Sequence, residues 1–279
     1  MAVSSPDQTG TLQREDALRE HYLTLLKQAL TRSEGRAYAP QRSWARAAAA
    51  PLQWALGRAE LEIVHREDGA AVKAGRVWPA EAETMIGLPR LDNLQHCIEQ
   101  AIADDVPGDV IECGVWRGGA TILARGVLMA HGVTDRTVWV ADSFAGLPEP
   151  DPRYPADAGD PHHTFDELAI PAAQVRANFR KYGLLDEQVR FLEGWFADTL
   201  PGAPIERLAV LRLDGDMYSS TIDALTALYD KVSPGGFVII DDYSLPTCRE
   251  AVHDFRRDRG IEDPIVAIDA IGSYWRRAA

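Results

Sequence analysis

The chain has 279 residues, 46% hydrophobic and 25% charged, enough for one large α/β domain or two smaller ones. Its formal charge of −13 excludes the basic face that a nucleic-acid partner requires, and no apolar run is long enough to span a membrane. The N-terminus lacks the basic-then-apolar profile of a signal peptide, and Cys97, Cys113 and Cys248 show no metal-binding spacing, so buried free thiols in a cytoplasmic protein are expected.

Residues 1–13 are small and polar and read as a loose tip. From Glu15 a helix is expected, with Tyr22, Leu25, Leu26, Ala29 and Leu30 forming its apolar stripe. Residues 47–56 give a second apolar helical segment, started or interrupted by Pro51. No β-α-β rhythm is visible before Thr84, so residues 1–83 read as a helical extension that serves acceptor recognition or a homodimer or higher contact. A helix carrying Leu94, Cys97, Ile98 and Ala101 follows, with Asp92 or Asn93 as its N-cap. Strands at 109–113, 137–141, 189–192, 208–213 and 237–240 then alternate with helices, and a β pair near 265–268 and 274–275 closes the chain. Capping boxes are expected at Ser220 with Asp223 and at Thr247 with Glu250, and Gly183 suits a helix C-terminus. The rhythm predicts an α/β doubly wound, largely parallel sheet over 84–279. Residues 149–173, rich in Pro and Asp, form a long loop expected to cover the ligand edge as a mobile lid.

Two features carry chemistry. The first strand of the alternating region runs into Glu112-Cys113-Gly114-Val115-Trp116-Arg117-Gly118-Gly119, and the next strand ends in Asp142 and Ser143. Such a turn lets backbone approach a ligand, and an acid at the next strand end commonly holds ribose hydroxyls. The spacing is neither a dinucleotide fingerprint nor a P-loop, which points to an adenosine cofactor without a phosphate grip, such as S-adenosylmethionine. The second feature is a pair of strands ending in acids: Asp214 and Asp216 after one, Asp241 and Asp242 after the other. Asp241 and Asp242 beside Asp214 would repel unless a cation sat among them, so a Mg²⁺-type site is expected at the carboxyl edge of the sheet. Asp216 reads more readily as a loop-ordering residue than as a ligand.

The motifs as a set resemble the macrocin O-methyltransferase family. They are Tyr-Leu-Thr-Leu-Leu-Lys (22–27), Thr-Met-Ile-Gly (84–87), Arg-Leu-Asp-Asn-Leu (90–94) and the glycine turn (112–119). Asp-Ser-Phe-Ala-Gly-Leu-Pro (142–148), Gly-Trp-Phe (194–196), Leu-Asp-Gly-Asp-Met-Tyr-Ser-Ser-Thr (213–221) and Asp-Asp-Tyr (241–243) complete the set. The resemblance implies a class I methyltransferase (Rossmann-like) fold with a seven-stranded sheet ending in an antiparallel hairpin. It also implies Mg²⁺-dependent methyl transfer from S-adenosylmethionine to a sugar hydroxyl of a glycosylated natural product, as in antibiotic biosynthesis. By that resemblance Gly114, Val115, Gly118 and Gly119 would line the methionine end and Asp142 would hold the ribose. Glu193, Gly194 and Trp195 would lie near adenine, Thr84, Met85 and Ile86 would cover the sulfonium, and Asp214, Asp241 and Asp242 would hold the metal. Residues 35–81 depart from the family pattern, and with them the identity of the acceptor stays open.

The proton acceptor has two candidates, Asp214 beside the metal and a lid histidine, His162 or His163. A metal-dependent glycosyltransferase is the competing reading, because Asp-x-Asp after a strand also grips Mg²⁺ and a nucleotide sugar; methylation of a nucleotide-linked sugar before its transfer is another.

Overall fold

Alternating apolar residues along the central strands bury both faces of one sheet. Val110, Val210, Phe237 and Ile239 face one core, whereas Ile111, Leu211, Val238 and Ile240 face the other. A computed structural model describes residues 8–34, 38–39, 51–52, 54–56, 58 and 65–278. Its seven-stranded sheet consists of β3 (Asp109–Cys113), β4 (Val138–Asp142), β5 (Val189–Glu193), β6 (Leu208–Leu213), β7 (Val232–Ile240), β8 (Val266–Ala267) and β9 (Ser273–Arg276). The spatial order is β5-β4-β3-β6-β7-β9-β8, parallel through β7, with β9 antiparallel to both neighbours. The chain winds outward from β3 in one direction and returns to its other side at β6. That reversal opens a crevice at the carboxyl ends of β3 and β6, where open α/β sheets bind ligands.

The N-terminal helix α1 (Gln8–Thr31) starts earlier than the periodicity suggested and is rotated from the expected stripe. Leu23, Leu26 and Leu30 are buried with the main core, whereas Leu25 is exposed. The rotation is possible because Lys27 buries its aliphatic stem and carries its ammonium to Asp92. α1 packs on α4 (Gly119–Ala130) where Gly126 leaves room for the Leu26 methyl, so it belongs to the core of the main fold. The region before Thr84 is also not wholly helical: β1 (Tyr38–Ala39) pairs antiparallel with β2 (His65–Arg66), followed by α2 (Gly69–Lys73). Within the expected 47–56 helix, 51–52 and 54–56 are helical and the rest lies outside the described residues, as does most of 35–64 and the tip at 1–7.

Helix α3 (Gly87–Ala103) begins well before Asp92 and Asn93, which therefore sit inside it and cap nothing. Pro89 in its first turn lacks only an amide that would have no helical partner there. The remaining helices are α5 (Ala172–Lys181), α6 (Phe196–Thr199), α7 (Tyr218–Leu228) and α8 (Pro246–Arg259). Gly183 follows α5 in left-handed geometry, φ 67°, as expected. Neither capping box forms. Ser220 lies inside α7, and the Thr247 hydroxyl donates to the Asp216 carbonyl.

Candidate active site

Gly114 ends β3 with φ 89°, and a Cβ there would collide with the carbonyl of Asp214, whose amide donates to the Cys113 carbonyl at 2.8 Å. Glycine is thus required by the neighbouring strand end, independently of any ligand. Gly119 is constrained in the same way from the other side. A Cβ would lie 2.6 Å from the Glu83 carbonyl oxygen, to which the Gly119 amide donates at 2.9 Å. This contact holds the segment Thr84–Ile86 against the turn. Gly118 caps α4 beside Val175 and Phe179. Asp142 straps the turn: one carboxylate oxygen accepts from the Val115 amide and the other from the Phe144 amide, both at 2.7 Å. Burial pushes Asp142 up from the usual carboxylate range, and these amides pull the other way.

At the end of β6 stands Arg212, buried to 1% exposure and directly opposite Glu112 on β3. Its guanidinium pairs with Glu112, with Asp241 and, at 2.9 Å, with Asp214. Arg90 from α3 binds the second oxygen of Asp241 and donates to the Gly75 carbonyl at 3.1 Å. Asp214 and Asp241 therefore do have a cation between them, the Arg212 guanidinium. Its signal was a single arginine in the otherwise apolar run LAVLRL, overlooked when that run was read as a hydrophobic strand. A buried charge in a central strand needs partners, and the partners are the strand-end acids.

Asp214, Asp241 and Asp242 each present a carboxylate oxygen, all within 4.8 Å of one another. The two arginines leave this group under-neutralised, since Glu112, Asp214, Asp216, Asp241 and Asp242 line the same cavity. Burial raises Asp241 to about 6, with Arg212 opposing and Asp214 adding to the rise. Asp242 is raised as well, by burial first and then by Asp216 and Asp214. Such a cluster could hold a divalent cation, which would relieve the repulsion that protons otherwise relieve.

Asp216 is more central than its sequence context suggested. It holds left-handed backbone, φ 55°, its amide donates to Asp242 at 3.0 Å, and its side chain lines the cavity with no hydrogen-bond partner among the described residues. Burial raises it to about 7, Asp214 adds to the rise and His162 opposes it. His162 bonds Asp160 through Nδ1 at 2.6 Å and His163 bonds the Asp160 carbonyl at 3.1 Å; neither lines the cavity.

The cavity, about 410 Å³, joins the two halves. Thr84, Met85, Ile86, Glu112, Gly114, Val115, Asp142, Ser143 and Trp195 line it on the glycine-turn side, and the acids close the other. Gly118 and Gly119 lie behind this wall. Glu193 and Gly194 are also outside it: Glu193 pairs with Arg176 at 2.8 Å, and the Gly194 amide donates to the Asp142 carbonyl. Glu112 Oε2 is buried with no hydrogen-bond partner among the described residues.

A seven-stranded sheet in this order, with its crevice at the β3 and β6 ends, is the class I methyltransferase architecture, and the solved O-methyltransferase NovP matches it. NovP is 47% identical and aligns with a TM-score of 0.79 over 94% of this chain and 100% of its own. Residues 19–277 match the macrocin-O-methyltransferase (TylF) family, and the chain belongs to that family. It is 59% identical over 215 residues to the 8-demethyl-8-(2,3-dimethoxy-alpha-L-rhamnosyl)-tetracenomycin-C 4'-O-methyltransferase of Streptomyces olivaceus, covering 74% of this chain and 79% of that one. It is 59% identical over 213 residues to the mycinamicin III 3''-O-methyltransferase of Micromonospora griseorubida, covering 75% and 84%. The protein is an O-methyltransferase, which sets the glycosyltransferase reading aside. Among the described residues no helix is long and apolar enough to cross a membrane.

Proposed function

We propose that this enzyme transfers a methyl group from S-adenosylmethionine to a sugar hydroxyl of a glycosylated natural product, with Mg²⁺ held by Asp214, Asp241 and Asp242. One observation carries the reading: a single cavity joins the glycine-turn wall to the acid cluster. The donor set fits both groups. The partnerless Glu112 Oε2 suits the ammonium of the methionine moiety, and three convergent carboxylates suit a hard divalent ion. When bound, the sulfonium supplies an electrophilic methyl and Mg²⁺ lowers the cost of charge on the acceptor oxygen. The relatives that methylate a rhamnosyl tetracenomycin and mycinamicin III support a glycosylated acceptor.

The protein's own part is positioning and proton removal. Thr84–Ile86, Val115 and Trp195 wall the donor side, and Asp142 keeps the turn in shape through its two backbone contacts. Asp214 shares an oxygen with Arg212, so its capacity as a base is divided. Asp216 lines the cavity with no side-chain hydrogen bond among the described residues and would take the hydroxyl proton at its carboxylate. The lid histidines face Asp160 and would not reach an acceptor without moving. Holding donor and acceptor in line supplies the rest of the rate.

Calorimetry with S-adenosylhomocysteine, with and without Mg²⁺, tests the two assignments separately. Heat with S-adenosylhomocysteine alone, and a second uptake on adding Mg²⁺ that Asp242→Asn removes, is expected. No heat with S-adenosylhomocysteine would overturn the donor assignment, and methyl transfer unchanged in EDTA would overturn the metal.

A further inference from the structure

The loop 149–173 contains one side chain that is wholly buried, Asp157, at 0% exposure. It closes a short 3-10 turn, Pro155–Asp157, and reaches across to the start of α7. One carboxylate oxygen accepts from the Tyr218 amide at 2.7 Å and the other from the Ser219 amide at 2.9 Å. These are orphan donors of the first helical turn, and Met217, at the N-cap, offers no side-chain bond. The lid thus supplies the cap that the local sequence lacks. No cation partners Asp157 among the described residues; the helix dipole and two amides carry its charge.

The neighbouring contacts make this a strut. Tyr154 donates its hydroxyl to Asp223 on α7 at 2.7 Å, and its ring lies 5.9 Å from that of Tyr218. At the far end of the loop, Trp116 of the glycine turn donates from Nε1 to the Glu167 carbonyl at 2.9 Å. The loop is fixed to both halves of the cavity, and the Asp157 end is fixed within two residues of Asp216.

We propose that Asp157 is a positioning residue: by capping α7 from the lid it holds the backbone from Asp214 to Ser219, and so sets the geometry of the acid cluster. The inference rests on the assignment of Asp214, Asp241 and Asp242 as metal ligands. Asp157 does not line the cavity and acts through the loop it caps.

The test uses the full chain with Asp157→Ala and Asp157→Asn. Mg²⁺ affinity is measured by calorimetry in saturating S-adenosylhomocysteine, and tryptic cleavage after the exposed Arg153 is followed by mass spectrometry. Asp157→Ala is expected to weaken Mg²⁺ at least about tenfold and to speed cleavage by a similar factor, with S-adenosylhomocysteine affinity held within about threefold. Asp157→Asn should recover part of both, since its amide oxygen accepts one of the two bonds; it also decides the matter if the alanine variant fails to fold. Wild-type Mg²⁺ affinity in the alanine variant overturns the proposal whatever the protease shows. If the wild-type chain itself takes up no Mg²⁺, the metal assignment falls, and cleavage after Arg153 then judges the lid contact alone: a wild-type rate in Asp157→Ala overturns it, a faster rate supports it.

Discussion

Arg212 is the residue on which the acid cluster turns. One charge in six strand residues does not disturb an apolar pattern, yet Arg212 occupies the centre of three carboxylates. Replacing it by Met would leave Glu112 buried without its ion-pair partner and Asp241 with Arg90 alone. Denaturant unfolding should show a loss of about 3–5 kcal/mol, the usual consequence of breaking a buried ion pair from one side. Asp216 makes the opposite point. Its neighbours in sequence suggested loop ordering, and its backbone does order a loop, but the side chain is delivered to the cavity by left-handed geometry that no local pattern announces. Asp216→Asn is expected to lower kcat by about two to four orders of magnitude, as loss of a general base does. S-adenosylhomocysteine affinity should stay unchanged, and near-wild-type turnover would return the base role to Asp214 or a histidine.

Among the elements, the glycine turn was legible as a special backbone, but the sequence could not say what presses on it. Gly114 meets the Asp214 carbonyl, Gly119 meets Glu83 and Thr84, and Gly118 meets α5. The turn is therefore the joint at which three segments meet as well as one wall of the cavity. Gly119→Ala would push the Thr84–Ile86 segment off the cavity wall. Calorimetry should then show S-adenosylhomocysteine bound about tenfold more weakly, some 1.4 kcal/mol, with Mg²⁺ uptake retained. Helix boundaries were the least legible feature. α7 starts where a lid residue distant in sequence caps it, and α3 starts at a glycine packed on Gly75, so neither start carries a local signature. The lid expected over the ligand edge docks there through Tyr154, Asp157 and Trp116.

For the whole molecule, the crowded acids set a pH dependence of stability. Asp216, Asp241 and Glu112 are raised to about 7, 6 and 8, all by burial first, and Asp242 is raised as well. A carboxyl whose folded pKa lies above its unfolded value binds more protons in the folded state between the two, so folding stability falls as pH rises through that window. In EDTA the melting temperature should therefore decline from about pH 5 to pH 8, the window between ordinary carboxyls and these raised ones. Mg²⁺ should restore it most at the alkaline end. A melting temperature independent of both pH and Mg²⁺ would show that the cluster carries no excess charge to relieve.

The strand–helix rhythm, the glycine turn and the strand-end acids are local patterns, and from them the sequence by itself determined the α/β architecture, the closing β pair and the edge of the sheet that bears the site. Each depends on residues close in the chain, where periodicity and turn chemistry act. The tertiary structure alone decided which acid lacks a side-chain hydrogen bond among the described residues, which arginines pair with Glu112, Asp214 and Asp241, and which lid residue caps α7. Those outcomes follow from charges and amides brought together across tens to more than a hundred residues, where desolvation drives most buried polar groups to partners wherever the fold provides them.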